Sequence, residues 1–100
     1  MIDFKDDYFA SRRLFILRLL IEVGGEANES VIYKALMRGG FSATPRDDLR
    51  KDLDYLKTRA CTRDDWLNDS LRVVSITERG EDAAHGRIEV GGVERSRWER

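Results

Sequence analysis

The chain has 100 residues, 41% of them hydrophobic and 37% charged, with a formal net charge of −1. That length bounds it to one domain with a modest core, and the charge balance excludes an overall basic excess that would draw it to a polyanion. One cysteine excludes an internal disulfide, no apolar run approaches the ~20 residues of a membrane span, and the acidic opening MIDFKDDYFA lacks the basic start of a secretory signal; a cytoplasmic protein is expected.

A first helix is expected from about Lys5 to Val23, stopped by Gly24-Gly25. On a helical wheel Leu14, Leu17 and Ile21 form one apolar stripe and Phe4, Tyr8, Phe15 and Leu19 a second. Phe9, Ile16, Leu20 and Val23 join the two, and only Ser11, Arg18 and Glu22 make a continuous polar strip. A helix apolar over so much of its circumference is buried on two sides. One side is expected to face the core and the other, Phe4, Tyr8, Phe15 and Leu19, a second subunit, giving a homodimer.

NESVIYKALMRGG reads as a second helix, capped by Asn28, buried through Val31, Ile32, Ala35, Leu36 and Met37, and ended by Gly39-Gly40. A short turn leads to the third, ATPRDDLRKDLDYLKTRA, with Thr44 as N-cap, Pro45 at the first helical position and Asp47 at the capping-box position. Leu49, Leu53, Leu56 and Ala60 fall on one inward arc. Helix, tight turn, helix is a helix-turn-helix arrangement.

After Ala60 the period changes. CTR, a polar loop DDWLNDS and LRVVSI read as two short strands and a hairpin, and TERGEDAAHG as a final Thr-initiated helical turn closed by Gly86. The expected fold class is mainly α with a small β-hairpin, an α+β winged helix-turn-helix spanning residues 1–86. The remaining residues, 87–100, are expected to be an extended or mobile tail.

Residues suited to chemistry are sparse. His85 and Cys61 stand alone in different elements, so neither general acid–base partnering nor clustered metal ligands are expected. Cys61 reads as a small core thiol, and the glycine pairs in VGGEAN and VGGVER have no Lys-Ser/Thr sequel, so they read as turns. The expectation is a non-enzymatic protein with no cofactor and no metal.

The third helix carries the functional question. With Leu49 and Leu53 inward, Arg46, Arg50 and Lys57 line one flank, Asp48 and Asp52 lie on the other near Arg59, and Asp47, Lys51 and Asp54 point outward. Asp47 and Asp48 suit the positive end of the helix dipole, and Asp47 is placed to pair with Lys51. Asp54, between Arg50 and Lys57, either orients them or neutralises them. Arg46, Arg50, Lys51 and Lys57 are the expected contacts to double-stranded DNA, on a helix capped by Thr44, with Arg63 and Arg72 as outer backbone contacts. Two such helices in a dimer would lie about one DNA turn (~34 Å) apart. The hairpin loop argues the other way: it holds three aspartates and no basic residue, and Trp66 and Leu67 there read as a lid or a protein contact.

YFASRRLFILRLLIE, NESVIYKAL, GFSATPRDDLRKDLDYL and ITERGEDAAHGRIEVGGVER resemble a family of small proteins of Mu-like phages and prophages, often labelled ArsR-like or winged-helix regulators. The resemblance runs from Tyr8 to Arg95 and is most specific between Thr77-Glu78-Arg79-Gly80 and Gly92-Val93-Glu94-Arg95. Ser96 stands where the family usually has proline. The resemblance implies a winged-helix fold, phage origin and DNA binding, the last by analogy of fold. The paired cysteines of arsenic-type repressors are missing, so metal sensing is not implied. Two readings therefore stand: a dimeric DNA-binding transcriptional regulator, or a winged-helix protein-interaction module serving phage DNA packaging or assembly, which the acidic hairpin and exposed Trp66 or Trp98 favour.

Overall fold

A computed structural model describes residues 4–96; Trp98 lies outside the described residues. Helix α1 (Phe4–Glu22) opens with Asp6 and Asp7 in its first turn, where carboxylates offset the helix dipole. It ends where Gly24 and Gly25 turn left-handed, so that the Gly25 N–H reaches back to the Leu20 carbonyl at 2.7 Å. A three-residue strand, β1 (Glu26–Asn28), leads into α2 (Glu29–Arg38), capped as expected by Asn28, whose Oδ1 accepts from the Val31 N–H at 2.9 Å.

Helix α3 (Arg46–Thr58) begins one residue later than the sequence suggested. Pro45, not Thr44, is the N-cap, its carbonyl accepting from the Asp48 and Leu49 N–H groups, and no side chain caps the helix. Thr44 is buried and its hydroxyl accepts from Arg12 Nη1 at 3.4 Å. Proline supplies the fixed extended backbone that starts the helix, which frees the threonine hydroxyl for the interior.

Strands β2 (Thr62–Leu67) and β3 (Leu71–Ile76) form an antiparallel hairpin, and β1 adds to the other side of β3, giving the order β1-β3-β2. The register pairs Thr62 with Ile76, Asp64 with Val74 and Trp66 with Arg72. Four residues expected in the loop, Asp64 to Leu67, are therefore strand. The loop shrinks to Asn68-Asp69-Ser70, because Asn68 and Asp69 both accept positive φ and close a tight turn, Ser70 N–H to Leu67 carbonyl at 3.1 Å. Helix α4 (Glu78–Ala84) is capped by the Thr77 hydroxyl, which accepts from the Gly80 N–H at 3.0 Å.

The core joins Ile16, Leu17 and Leu20 of α1, Ile32 and Leu36 of α2, Leu49, Leu53 and Leu56 of α3, Val74 and Ile76 of β3, and Ala83 and Ala84 of α4. The described residues form an α+β arrangement of four helices and a small three-stranded antiparallel sheet, an order compatible with a winged helix.

The segment from Arg87 to Ser96 is the described part of the expected extended or mobile tail. It forms no helix or strand, yet Val90 is buried, the Glu94 N–H donates to the Ala10 carbonyl at 3.1 Å, and Arg18 Nη2 donates to Ser96 Oγ at 2.6 Å. Tyr55 Oη and Arg13 Nη1 donate to the carbonyls of Gly91 and Gly92. Backbone carbonyls of this segment serve as acceptors for side chains of α1 and α3.

Candidate interaction face

The N-terminal turns of α2 and α3 meet the end of the hairpin, and a cleft of about 170 Å³ lies between them. It is lined by Glu29, Ser30, Arg46, Arg50, Trp66, Ser70, Leu71 and Arg72. Its floor is Glu29, the first residue of α2, which is buried. Arg46 and Arg50, one helical turn apart, both donate Nε to the same Glu29 oxygen, Oε2, each at 3.0 Å. Arg46 Nη2 also donates to Ser30 Oγ at 3.0 Å, and its guanidinium stacks over Tyr33. Arg50 Nη1 reaches the exposed Asp47 at 3.4 Å, so Asp47 pairs with Arg50 rather than with Lys51. A buried carboxylate needs its partners; these two arginines are held by the fold.

The hairpin wall is built by strand alternation. Thr62, Asp64 and Trp66 share the inner face of β2 with Arg72, Val74 and Ile76 of β3. Thr62, Val74 and Ile76 sit over the core, whereas Trp66 overhangs α3 and keeps 50% of its surface exposed. Between them lies a second ion cluster. Arg72 is buried and donates to Asp64 Oδ2 and, through Nη2, to Asp54 at 2.7 Å. Burial alone would lower the Arg72 pKa, but its hydrogen bonds to Asp64 and Asp54 and their charge prevail, and it is raised. Lys57 approaches Asp64 at 3.7 Å.

These contacts decide what each expected DNA contact is placed to do. Arg72, expected as an outer backbone contact, is an interior ion-pair partner instead. Thr44, expected as the cap of the reading helix, is interior too. Asp54 does not sit between Arg50 and Lys57 as a neutraliser; it takes Arg72. Arg46, Arg50 and Lys57 do share one side of α3, as expected, and each meets a carboxylate. Lys51 lines a different cleft, with Phe9, Arg12, Arg13, Asp48 and Asp52. Arg63 is exposed on the outer face of the hairpin, opposite Ser75.

Over 86 residues the chain is 40% identical to the uncharacterized protein gp26 of Escherichia phage Mu, covering 86% of this chain and 88% of that protein. The chain belongs to the Mu gp26 family of phage proteins. An uncharacterized protein of Haemophilus influenzae (strain Rd) is also similar, 36% identical over 78 residues, covering 78% of this chain and 76% of the relative. No family model and no solved structure matches.

In this gp26-family chain the four residues expected at a subunit interface divide. Phe15 and Leu19 are partly buried and pack against the core; the Phe15 ring lies 5.4 Å from Phe41, which folds back from the turn after α2. Phe4 and Tyr8 are exposed, 88% and 37%. The second apolar stripe of α1 is thus covered in part by the chain itself, through Phe41, whose ring also lies 5.5 Å from that of Tyr8.

Sequence reasoning passed over the most buried charges. Arg12 and Asp52 form an ion pair in the interior, and Arg13 donates Nε to the other Asp52 oxygen at 3.0 Å while stacking on Tyr55. The signal was available: Asp52 lies one turn from both Leu49 and Leu56, and Arg12 one turn from Ile16, so both belong to apolar faces. Glu29 gave no such signal, since an acidic first-turn residue is ordinary at a helix start. No helix among the described residues is long and apolar enough to cross a membrane.

Proposed function

We propose that this gp26-family protein is a winged-helix module that works by binding another protein through the cleft between α2, α3 and the hairpin. One observation carries the reading: Arg46 and Arg50 spend their Nε donors on the buried Glu29 carboxylate, while Trp66 overhangs the same cleft half-exposed. A surface that reads DNA needs basic groups free for phosphates. On the surface of α3 Asp47, Asp48 and Asp54 stand against Arg46, Arg50, Lys51 and Lys57, and the hairpin adds exposed Asp65 and Asp69 beside Arg63. Exposed Trp66, with the Arg72 guanidinium 5.8 Å from its ring and Arg46 and Arg50 in the same cleft lining, has the composition of a protein-binding hot spot. Binding rather than catalysis also suits Cys61, whose thiol is pushed up by burial, away from the thiolate a nucleophile needs. The partner would belong to phage DNA packaging or assembly.

The DNA-binding regulator is the second reading. Arg46 and Arg50 are balanced by Glu29 and Asp47, but Arg50, Lys51 and Lys57 are exposed. A homodimer through α1 would have to rest on Phe4 and Tyr8, because Phe15 and Leu19 serve the fold.

One experiment separates the readings. The purified protein is offered labelled random-sequence duplex at low salt, and lysate of phage-producing cells in parallel. The protein reading expects no duplex retardation, and a retained protein that Trp66→Ala loses while its circular dichroism is unchanged. Retardation abolished by Arg46→Ala with Arg50→Ala would overturn it in favour of the regulator.

A further inference from the structure

We infer that the free edge of β2 pairs with the same edge of a second copy of this chain, antiparallel about a twofold axis at Asp64, so that two three-stranded sheets join into one. The surface concerned is the main chain of the hairpin, and the inference does not depend on what enters the cleft.

Strand β2 lies at the edge of the sheet, with β3 on one side and no strand on the other. In an antiparallel ladder, opposed residues alternate between bonded pairs and pairs whose main-chain groups point away from each other. The Thr77 N–H donates to the Cys61 carbonyl at 3.0 Å, and the Ile76 N–H turns the other way, to Gly25 just before β1, at 2.9 Å. Followed along the register, this makes Arg63–Ser75 and Asp65–Val73 bonded pairs. It therefore turns the N–H and carbonyl of Thr62, Asp64 and Trp66 outward. Thr62 is buried, whereas Asp64 is half-buried although its side chain is only 4% exposed. What Asp64 exposes is its main chain. Among the described residues no further group bonds the outward main chain of Asp64 or Trp66. Such an edge is a template for another extended strand.

Charge selects the occupant. Arg63 and Asp65 stand two residues apart on the outer face of the hairpin, both exposed, and among the described residues neither forms an ion pair. Their β3 neighbours, Ser75 and Val73, carry no charge. A twofold axis at the residue between them sets Arg63 of each copy opposite Asp65 of the other, two reciprocal pairs in one contact. The same axis sets Asp64 against Asp64, so each outward N–H faces the other copy's carbonyl. Moving the axis one residue either way sets arginine against arginine or aspartate against aspartate, which is unfavourable. The two Asp64 carboxylates are not free to repel: each is turned inward onto Arg72, with Lys57 at 3.7 Å. A second copy meets this alternation of charge by symmetry alone. A contact of one short strand per copy belongs to the weak, transient class of interface.

The test is sedimentation equilibrium of the full chain at low salt, up to millimolar concentration, with hydrogen exchange of the Asp64 amide in parallel. A reversible dimer is expected, weakened by salt, and the Asp64 N–H should exchange more slowly as concentration rises. Arg63→Asp and Asp65→Arg should each weaken the dimer at least about tenfold, since each turns two attractive pairs into two repulsive ones. Circular dichroism should be unchanged, because neither side chain has an ion partner in the fold. The chain carrying both substitutions should dimerise like the natural one, with the two charges exchanged. An equimolar mixture of the two single variants should associate more tightly than either alone. A chain that stays monomeric at millimolar concentration, a dimer that both single variants keep, or a double variant as weak as the singles overturns the inference. A dimer lost with Tyr8→Glu but kept by both hairpin variants places the interface on α1 instead. None of these outcomes touches the protein-binding reading of the cleft, which is tested through Trp66.

Discussion

Arg12 of α1 and Asp52 of α3 form an ion pair in the interior of the domain, across forty residues of sequence. Both side chains are nearly inaccessible, and Arg13 and the Thr44 hydroxyl complete the cluster. Removing one member of a buried pair strands the other charge, which costs about 3–5 kcal/mol. Asp52→Ala should therefore remove much of the stability of a small domain, about 5–15 kcal/mol in all, read as a lowered urea midpoint. Arg12→Met with Asp52→Leu should cost less than Asp52→Ala alone, since the fully buried Arg12 charge is gone and only Arg13 loses its carboxylate, while keeping its bond to the Gly92 carbonyl and its stacking on Tyr55.

Gly80 lies in α4 where the helix crosses the start of β2. A Cβ there would stand 2.2 Å from the Cys61 carbonyl oxygen and 2.7 Å from Ile76 Cγ1. The first obstacle is backbone, so the helix itself must move. Alanine gains up to ~1 kcal/mol over glycine in a free helix, but overpacking of this kind costs about 1–3 kcal/mol. Gly80→Ala should lower the thermal midpoint, and the helical preference should not rescue it.

Phe15 offers a direct contrast between fold and interface. Its ring packs on Phe41, and its Cζ would lie 2.3 Å from a Cβ at Gly39, so the glycine that ends α2 also makes room for the ring. Phe15→Ala is expected to cost about 2–4 kcal/mol, toward the low end for a large core aromatic because the site is only partly buried. Sedimentation should show the same mass as the unaltered chain. A change of mass without a change in urea midpoint would return Phe15 to a subunit interface.

The elements were legible because their punctuation is chemical. Asn28 and Thr77 are short polar residues immediately before helical periods, and both cap as expected. The glycine pairs end α1 and α2 because only a left-handed turn satisfies the last carbonyls without strain. Strand β1 was not legible: three residues show no alternation, and Glu26–Asn28 is a strand only because β3 offers it a partner. The hairpin loop misled because Asp64 and Asp65 are loop-like in composition, yet Asp64 is needed inside to hold Arg72. For the site, the wheel placed Arg46, Arg50 and Lys57 on one side of α3 but could not see Glu29 arriving from α2. Which carboxylate meets which arginine is decided by how helices pack, and that is not local in sequence.

Cys61 provides a last, pH-dependent check. Burial raises its pKa above the ordinary 9.0, against the opposing pull of the Arg79 and Arg59 charges. In the folded chain the thiol thus stays protonated where the unfolded chain has begun to ionise. Its contribution to stability is complete below 9.0 and is lost as pH rises from there through the higher folded value. Urea midpoints of the natural chain should therefore fall with rising alkaline pH more steeply than those of Cys61→Ala. The comparison is of slopes, because the alanine also leaves a small cavity that lowers every midpoint. Parallel slopes would mean that Cys61 ionises as readily in the fold as in the open chain, and would place its sulfur in contact with water.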